Sequence, residues 1–210
     1  MTRPPSPSLL SFLLSFLFSV SVLAQEPLEF RGYALGGLCT SQIHGDGVSG
    51  FNKFGVTGGF GLEIGRKGTS KSISGSLLYT QKGSRRVPNP KAGDYTTWSY
   101  RFTYIDIPIL RQWQFATGWW LGVGLQPSVL LSGEENFNQT GYAPTTIDLK
   151  PLDIGGIVSG GLEMGDHWDL EVRLGQSLLP ISPQPESAIV RFDNFLTNMT
   201  LQIAARLRFG

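Results

Sequence analysis

The chain holds one cysteine and two histidines in 210 residues. A lone thiol, Cys39, excludes an intramolecular disulfide. It is no lipoprotein cysteine either, because Leu38 stands where a small residue is needed. His44 and His167 fall far apart, with no paired His or Cys spacing to hold a metal. Charge is also scarce: Asp, Glu, Lys and Arg make up 16% of the chain, against roughly 25% in an ordinary soluble domain. Neither sign dominates, since 17 basic residues face 16 acidic ones. A nucleic-acid partner, which wants a basic surface, is therefore not expected. Past the N-terminus no apolar run is long enough to cross a bilayer as a helix.

The N-terminus itself reads as a secretory signal peptide over residues 1–24. Arg3 supplies the positive start, Leu9–Leu23 the apolar stretch, and Val22-Leu23-Ala24 the small residues ahead of cleavage. Residues 25–210 remain as one domain. Within it, eight segments have strand character, and their connections alternate in length. The long ones run over Gln42–Asn52, Gly83–Trp98, Gly133–Lys150 and Gln176–Asn194. The short ones are Gly65–Lys71, Gln114–Gly118 and Gly165–His167. In an up-and-down meander, alternate connections lie at opposite ends of the sheet. Such sorting marks an eight-stranded antiparallel transmembrane β-barrel, with long extracellular loops and short periplasmic turns.

Each strand alternates in polarity. Trp168, Leu170, Val172 and Leu174 oppose Asp169, Glu171 and Arg173; Leu201, Ile203, Ala205 and Leu207 oppose Gln202, Ala204, Arg206 and Arg208. A soluble barrel would turn the apolar face inward; a membrane barrel turns it outward. Aromatics near the strand ends favour the membrane. Trp113, Trp119, Trp120, Trp168 and Phe209 lie beside the short turns, and Trp98, Tyr100 and Phe195 beside the long loops, as interfacial girdles do. The polar face then lines the lumen with Glu63, Asp106, Asp153, Glu163, Asp169, Glu171, Arg173, Arg206 and Arg208. Eight strands enclose a space just wide enough for side chains to fill. These charges therefore read as a pairing network rather than a proton or ion path. Asp169 is expected opposite Arg208, and Glu171 opposite Arg206.

Enzyme chemistry finds little support. A hydrolase needs a nucleophile, a base and an orienting group together. His44 and Asp46, with Ser41 or Ser49, are the nearest approach to that set, and glycines surround them. His44-Gly45-Asp46 and Glu134-Glu135 are loose acidic patches at most. The segment with Arg85, Arg86 and Lys91, and Lys82 at its base, is a candidate contact for anionic headgroups or a partner. No catalytic, metal or cofactor-binding residue is assigned.

Several segments resemble the PorT-like outer-membrane β-barrel family of Bacteroidota. They are Gly36–Gly47, Ser49–Gly55, the strand Leu77-Leu78-Tyr79-Thr80-Gln81-Lys82-Gly83-Ser84-Arg85, and Tyr104-Ile105-Asp106-Ile107-Pro108-Ile109-Leu110. Gly160–Glu163 and Leu170–Arg173 are similar to later strands of that family. Trp113-Gln114-Phe115 departs from its usual pattern. The chain is expected to be an exported, monomeric barrel in the outer membrane of a Gram-negative bacterium, surrounded by lipid. The family's founding member is linked to type IX secretion, so an accessory role beside a secretion or envelope partner is implied. A lipid-modifying enzyme and a surface adhesin are the alternatives.

Overall fold

The computed structural model describes residues 27–138, 140–182 and 196–209. The signal peptide expected over residues 1–24 and the girdle residue Phe195 lie outside them. Ten strands follow in order: β1 (Leu28–His44), β2 (Lys53–Arg66), β3 (Lys71–Arg86), β4 (Trp98–Asp106), β5 (Ile109–Gln114), β6 (Trp119–Phe137), β7 (Ala143–Pro144), β8 (Leu152–Met164), β9 (Trp168–Ser177) and β10 (Thr197–Phe209).

Eight staves form the wall. β4 and β5 are one stave interrupted at Ile107-Pro108, where proline has no N–H to give the ladder. The register passes the break unshifted: β3 pairs Leu78 with Asp106 before it and Gly75 with Ile109 after it. Neighbouring backbone bonds bridge the gap, with Ser76 N–H donating to Pro108 O at 3.1 Å and Ile107 N–H to Pro127 O at 2.8 Å. β7 is a two-residue flap on β6. Every neighbouring stave is antiparallel, and β1 pairs with both β2 and β10, so the sheet closes on itself. Closure leaves no edge strand to be satisfied in lipid.

The long and short connections sort to opposite ends as expected. The tight turns need backbone that most residues resist, and Gly118 and Gly165 supply it at φ of 77° and 83°. The strands run further than sequence alone suggests. β1 continues past Gln42 to His44, β3 past Gly83 to Arg86, and β6 past Gly133 to Phe137. The extensions carry the sheet past the apolar belt at the loop end. Along the belt the outer face is greasy: Phe54, Phe60, Leu38, Leu125 and Ile203 are all exposed. In a soluble protein such a surface would associate; around a barrel it meets acyl chains.

Candidate functional site

The inner face, together with its loop-end cover, is the chemically distinctive part of the molecule. At the turn end, Arg206 on β10 pairs with Glu63, past β1 on β2, and lies 3.6 Å from Asp169 on β9. Its guanidinium sits 3.9 Å over the Tyr33 ring and 5.5 Å from Trp120. Arg208 reaches Glu163 at 3.0 Å and Asp169 at 3.2 Å. Gln114 donates to the same Glu163 carboxylate at 2.6 Å, and Ser72 donates to Glu63 at 2.8 Å. Five charged groups from four staves therefore form one network in which each charge has an opposite partner, while Asp169 Oδ1, Arg206 Nε and Arg208 Nε make no hydrogen bond among the described residues.

Midway, Glu171 and Arg173 pair along one strand, both almost fully buried. Their spacing of two puts them on one face. Tyr33 and Ser76 share a hydrogen bond of 3.0 Å beside them, and Leu35, Leu78 and Ala204 fill the space between. Towards the loops, Lys82 donates to Asp106 at 2.7 Å and to Ser128 at 3.3 Å, with its ammonium 4.5 Å over Tyr104. Asp153 accepts from Ser177 at 2.7 Å and from Asn198 at 3.4 Å. Above this layer, Ile43, Phe102, Tyr104 and Ile181 form a buried apolar cluster, flanked by Tyr100, Leu130, Ile147, Leu149 and Leu196. Ile181 belongs to the last loop. It is pinned there because its N–H donates to Leu196 O at 2.9 Å and its carbonyl accepts from Lys150 N–H at 2.8 Å. The loops thus stopper the lumen with hydrocarbon.

Several sequence expectations need correction. Asp169 stands opposite Arg206, not Arg208, and Glu171 stands opposite Ala204. The expected register is off by two residues, which preserves the inner face but changes every partner. The side chains give the reason. Small Ala204 beside Glu171 leaves room for the Tyr33 ring, on which Arg206 then stacks. Trp120 is not a girdle residue. It is 7% exposed and points inward over Gly161. Trp119 already occupies the outer face, and adjacent strand residues point opposite ways. Trp119, Trp168 and Phe209 are exposed at the turn end, and Trp113 is half-buried there. Trp98 packs against Tyr100 at the loop end, with ring centres 4.9 Å apart and planes tilted by 56°.

Lys82 is an inner-face charge that the sequence reading left out of the lumen, placing it at the base of a loop. It shares the parity of Ser76, Leu78 and Thr80, and that alternation was the available signal. Ser41 is buried and donates to Gly83 O at 3.0 Å, so it does not join His44, which is exposed at the strand end. Glu134 and Glu135 are not loose: Arg101 donates to Glu134 at 2.6 Å, and Thr145 donates to Glu135 at 2.9 Å. Among the described residues no group of three or more His, Cys, Asp or Glu side chains is arranged to hold a metal ion.

Residues 51–182, more than half of the chain, match the outer membrane protein beta-barrel domain family. No curated protein matches. Among solved structures, Ail, the attachment invasion locus protein of Yersinia pestis, is similar at a TM-score of 0.52 with 12% identity, covering 86% of this chain and 99% of that one. Neisserial surface protein A is similar at 0.50 with 11% identity, covering 88% and 100%. At such identities the likeness concerns fold alone. With the closed sheet, the outward apolar belt and the inward charges, these findings show that the chain belongs to the outer membrane protein beta-barrel domain family and resides in the outer membrane.

Proposed function

We propose that the protein is a non-conducting, non-enzymatic scaffold of the outer membrane, presenting its loop end to an envelope or secretion-system partner of type IX character. The observation that carries this reading is the filled lumen. Charge pairs occupy the turn end, Lys82 and Asp106 occupy the upper level, and the Ile43–Phe102–Tyr104–Ile181 cluster stoppers the mouth. Transport through such an interior would require displacing paired buried charges. The exposed His44 and the engaged Ser41 argue against hydrolysis at the rim. What remains for chemistry is the outer surface of the loops. The PorT-like motifs around Leu77–Arg85 and Tyr104–Leu110 support a secretion-linked partner in particular.

Crosslinking in native envelopes, followed by capture of the barrel, should recover an outer-membrane or periplasmic assembly component. The purified protein should give no discrete conductance in a planar bilayer. A stable ion current would overturn the scaffold reading. A surface-binding role is the second reading, favoured by Tyr95 and Tyr142 standing exposed at the loop end. Crosslinks to extracellular material instead of envelope proteins would select it.

A further inference from the structure

At the loop-end rim, outside the stoppered lumen, a depression of about 310 Å³ opens between the tips of β2, β3, β4 and β6. That is at the lower end of the roughly 300–1,000 Å³ of small-molecule sites. Its lining includes the cations Lys53 and Arg85, the rings of Trp98 and Tyr142 with exposed Phe54 at the edge, and the polar Ser99 and Asn136.

The cations are the informative part. The neighbouring basic residues are neutralised, Arg86 by Asp94 at 2.7 Å and Arg101 by Glu134. Lys53 and Arg85 have no carboxylate partner among the described residues. Lys53 is nevertheless largely buried, with its ammonium donating to the Phe54 carbonyl at 3.2 Å. A lysine held in that way keeps an unneutralised charge beside the cavity. The Tyr142 ring is fixed by Arg101 stacked 3.9 Å away and by a 3.3 Å hydrogen bond between its hydroxyl and Ser99. Trp98 is braced on Tyr100. Asn136 also lines the depression and brings a side-chain amide to it. Pre-positioned rings bind the apolar faces of sugar rings, asparagine and serine pair with hydroxyls, and uncompensated cations select an anion.

We propose that this depression is a binding site for an anionic saccharide, a sugar bearing phosphate, sulfate or carboxylate groups. It goes beyond the scaffold role and does not depend on it, because a rim site and a protein partner are compatible. Two sources share this chemistry: the phosphorylated core sugars of lipopolysaccharide in the same leaflet, and free acidic polysaccharide arriving from outside.

The test uses the full barrel in phosphatidylcholine nanodiscs, with Trp fluorescence and calorimetry as readouts. The probes are a heparin-derived hexasaccharide, rough lipopolysaccharide, its dephosphorylated form, neutral dextran, and nanodiscs containing phosphatidylglycerol. Saturable binding of the hexasaccharide supports the site with a free source. Binding of rough lipopolysaccharide alone, lost on dephosphorylation, supports it with the membrane source. Arg85→Gln, at an exposed position, should weaken binding about tenfold and flatten its salt dependence. Tyr142→Ala should weaken binding while leaving the salt dependence in place. Heat-modifiable migration of each variant checks that the barrel is folded. The proposal is overturned if dextran binds as well as the acidic sugars, if phosphatidylglycerol alone reproduces the signal, if no probe binds, or if Arg85→Gln and Lys53→Gln both bind like the parent.

Discussion

Arg206 stands directly across the β9–β10 ladder from Asp169, yet pairs more closely with Glu63, past β1 on β2. One side chain therefore ties β10 to its ladder neighbour and to β2 two staves away. Removing it leaves Glu63 without its cation and Asp169 with Arg208 alone.

Arg206→Leu should lower the denaturation midpoint strongly. Orphaning a fully buried partner costs about 3–5 kcal/mol, and the partial exposure of Glu63 reduces that here. Arg206→Leu with Glu63→Gln should recover part of the loss. Arg206→Leu with Glu171→Gln should recover none, because Glu171 is bound to Arg173 instead. Urea titration of the barrel in detergent distinguishes the two doubles. Rescue by Glu171→Gln would mean that the register is the one first expected from sequence.

The comparison of that register with the observed one shows what strand alternation conveys. Parity assigned the facing of Asp169, Glu171, Arg206 and Arg208, because a period of two fixes which side a residue takes. It is silent on the partner, since a slip of two residues preserves every face. The β9–β10 connection is long, so no tight turn sets the register from local sequence. The stave count and the two ends were legible from connection lengths. The stopper was not: Ile181 lies in a loop, and only tertiary packing brings it against Phe102. Trp120 and Lys82 were legible by parity. One was overridden by composition near a turn, the other by its place at the base of a basic loop.

Lys82 and Asp106 supply a second test, at the loop end of the lumen. Both are almost fully buried and 2.7 Å apart. Lys82→Met should destabilise the barrel by several kcal/mol, on the order of the loss expected for a broken buried pair. Lys82→Met with Asp106→Asn should recover much of that loss, since no orphan charge remains. Equal loss in single and double variants would show that the lysine stem, not its charge, holds the site.

The facing of the wall is tested by a charge on the lipid side. Ile203 is exposed on β10, in the apolar belt. Ile203→Arg should cost about 2–4 kcal/mol, whereas Phe209→Arg at the rim should cost about 0–1 kcal/mol. Folding titrations into phospholipid vesicles give both values. A tolerated Ile203→Arg would contradict an outward apolar belt.

Outside the membrane, the Arg86 hydrogen bond holds the Asp94 carboxyl below its ordinary value of 3.8. A lowered folded-state value means the contact contributes fully above the unfolded carboxyl range and is lost as pH falls through the depressed value. The second loop should therefore stay closed at neutral pH and loosen only in strong acid. An NMR titration of Asp94 should place its midpoint below 3.8. Arg86→Gln should move it upward.

Gly161 on β8 lies under the inward ring of Trp120. A β-carbon there would fall 2.2 Å from Trp120 Cε2, far inside van der Waals contact. Gly161→Ala must therefore push the ring off its seat or bow the wall between β6 and β8. Overpacking of this kind costs about 1–3 kcal/mol. The ring also faces the guanidinium of Arg206, so its displacement disturbs the Glu63 and Asp169 pairs as well. Gly161→Ala should lower the urea midpoint and red-shift the tryptophan emission as Trp120 gains water. Gly161→Ala combined with Trp120→Leu should be more stable than Gly161→Ala alone, because the shorter side chain clears the added methyl. Were Trp120 in the outer girdle beside Trp119, Gly161→Ala would be silent and the double variant would behave like Trp120→Leu. The pair of midpoints thus decides on which side of the wall the indole lies.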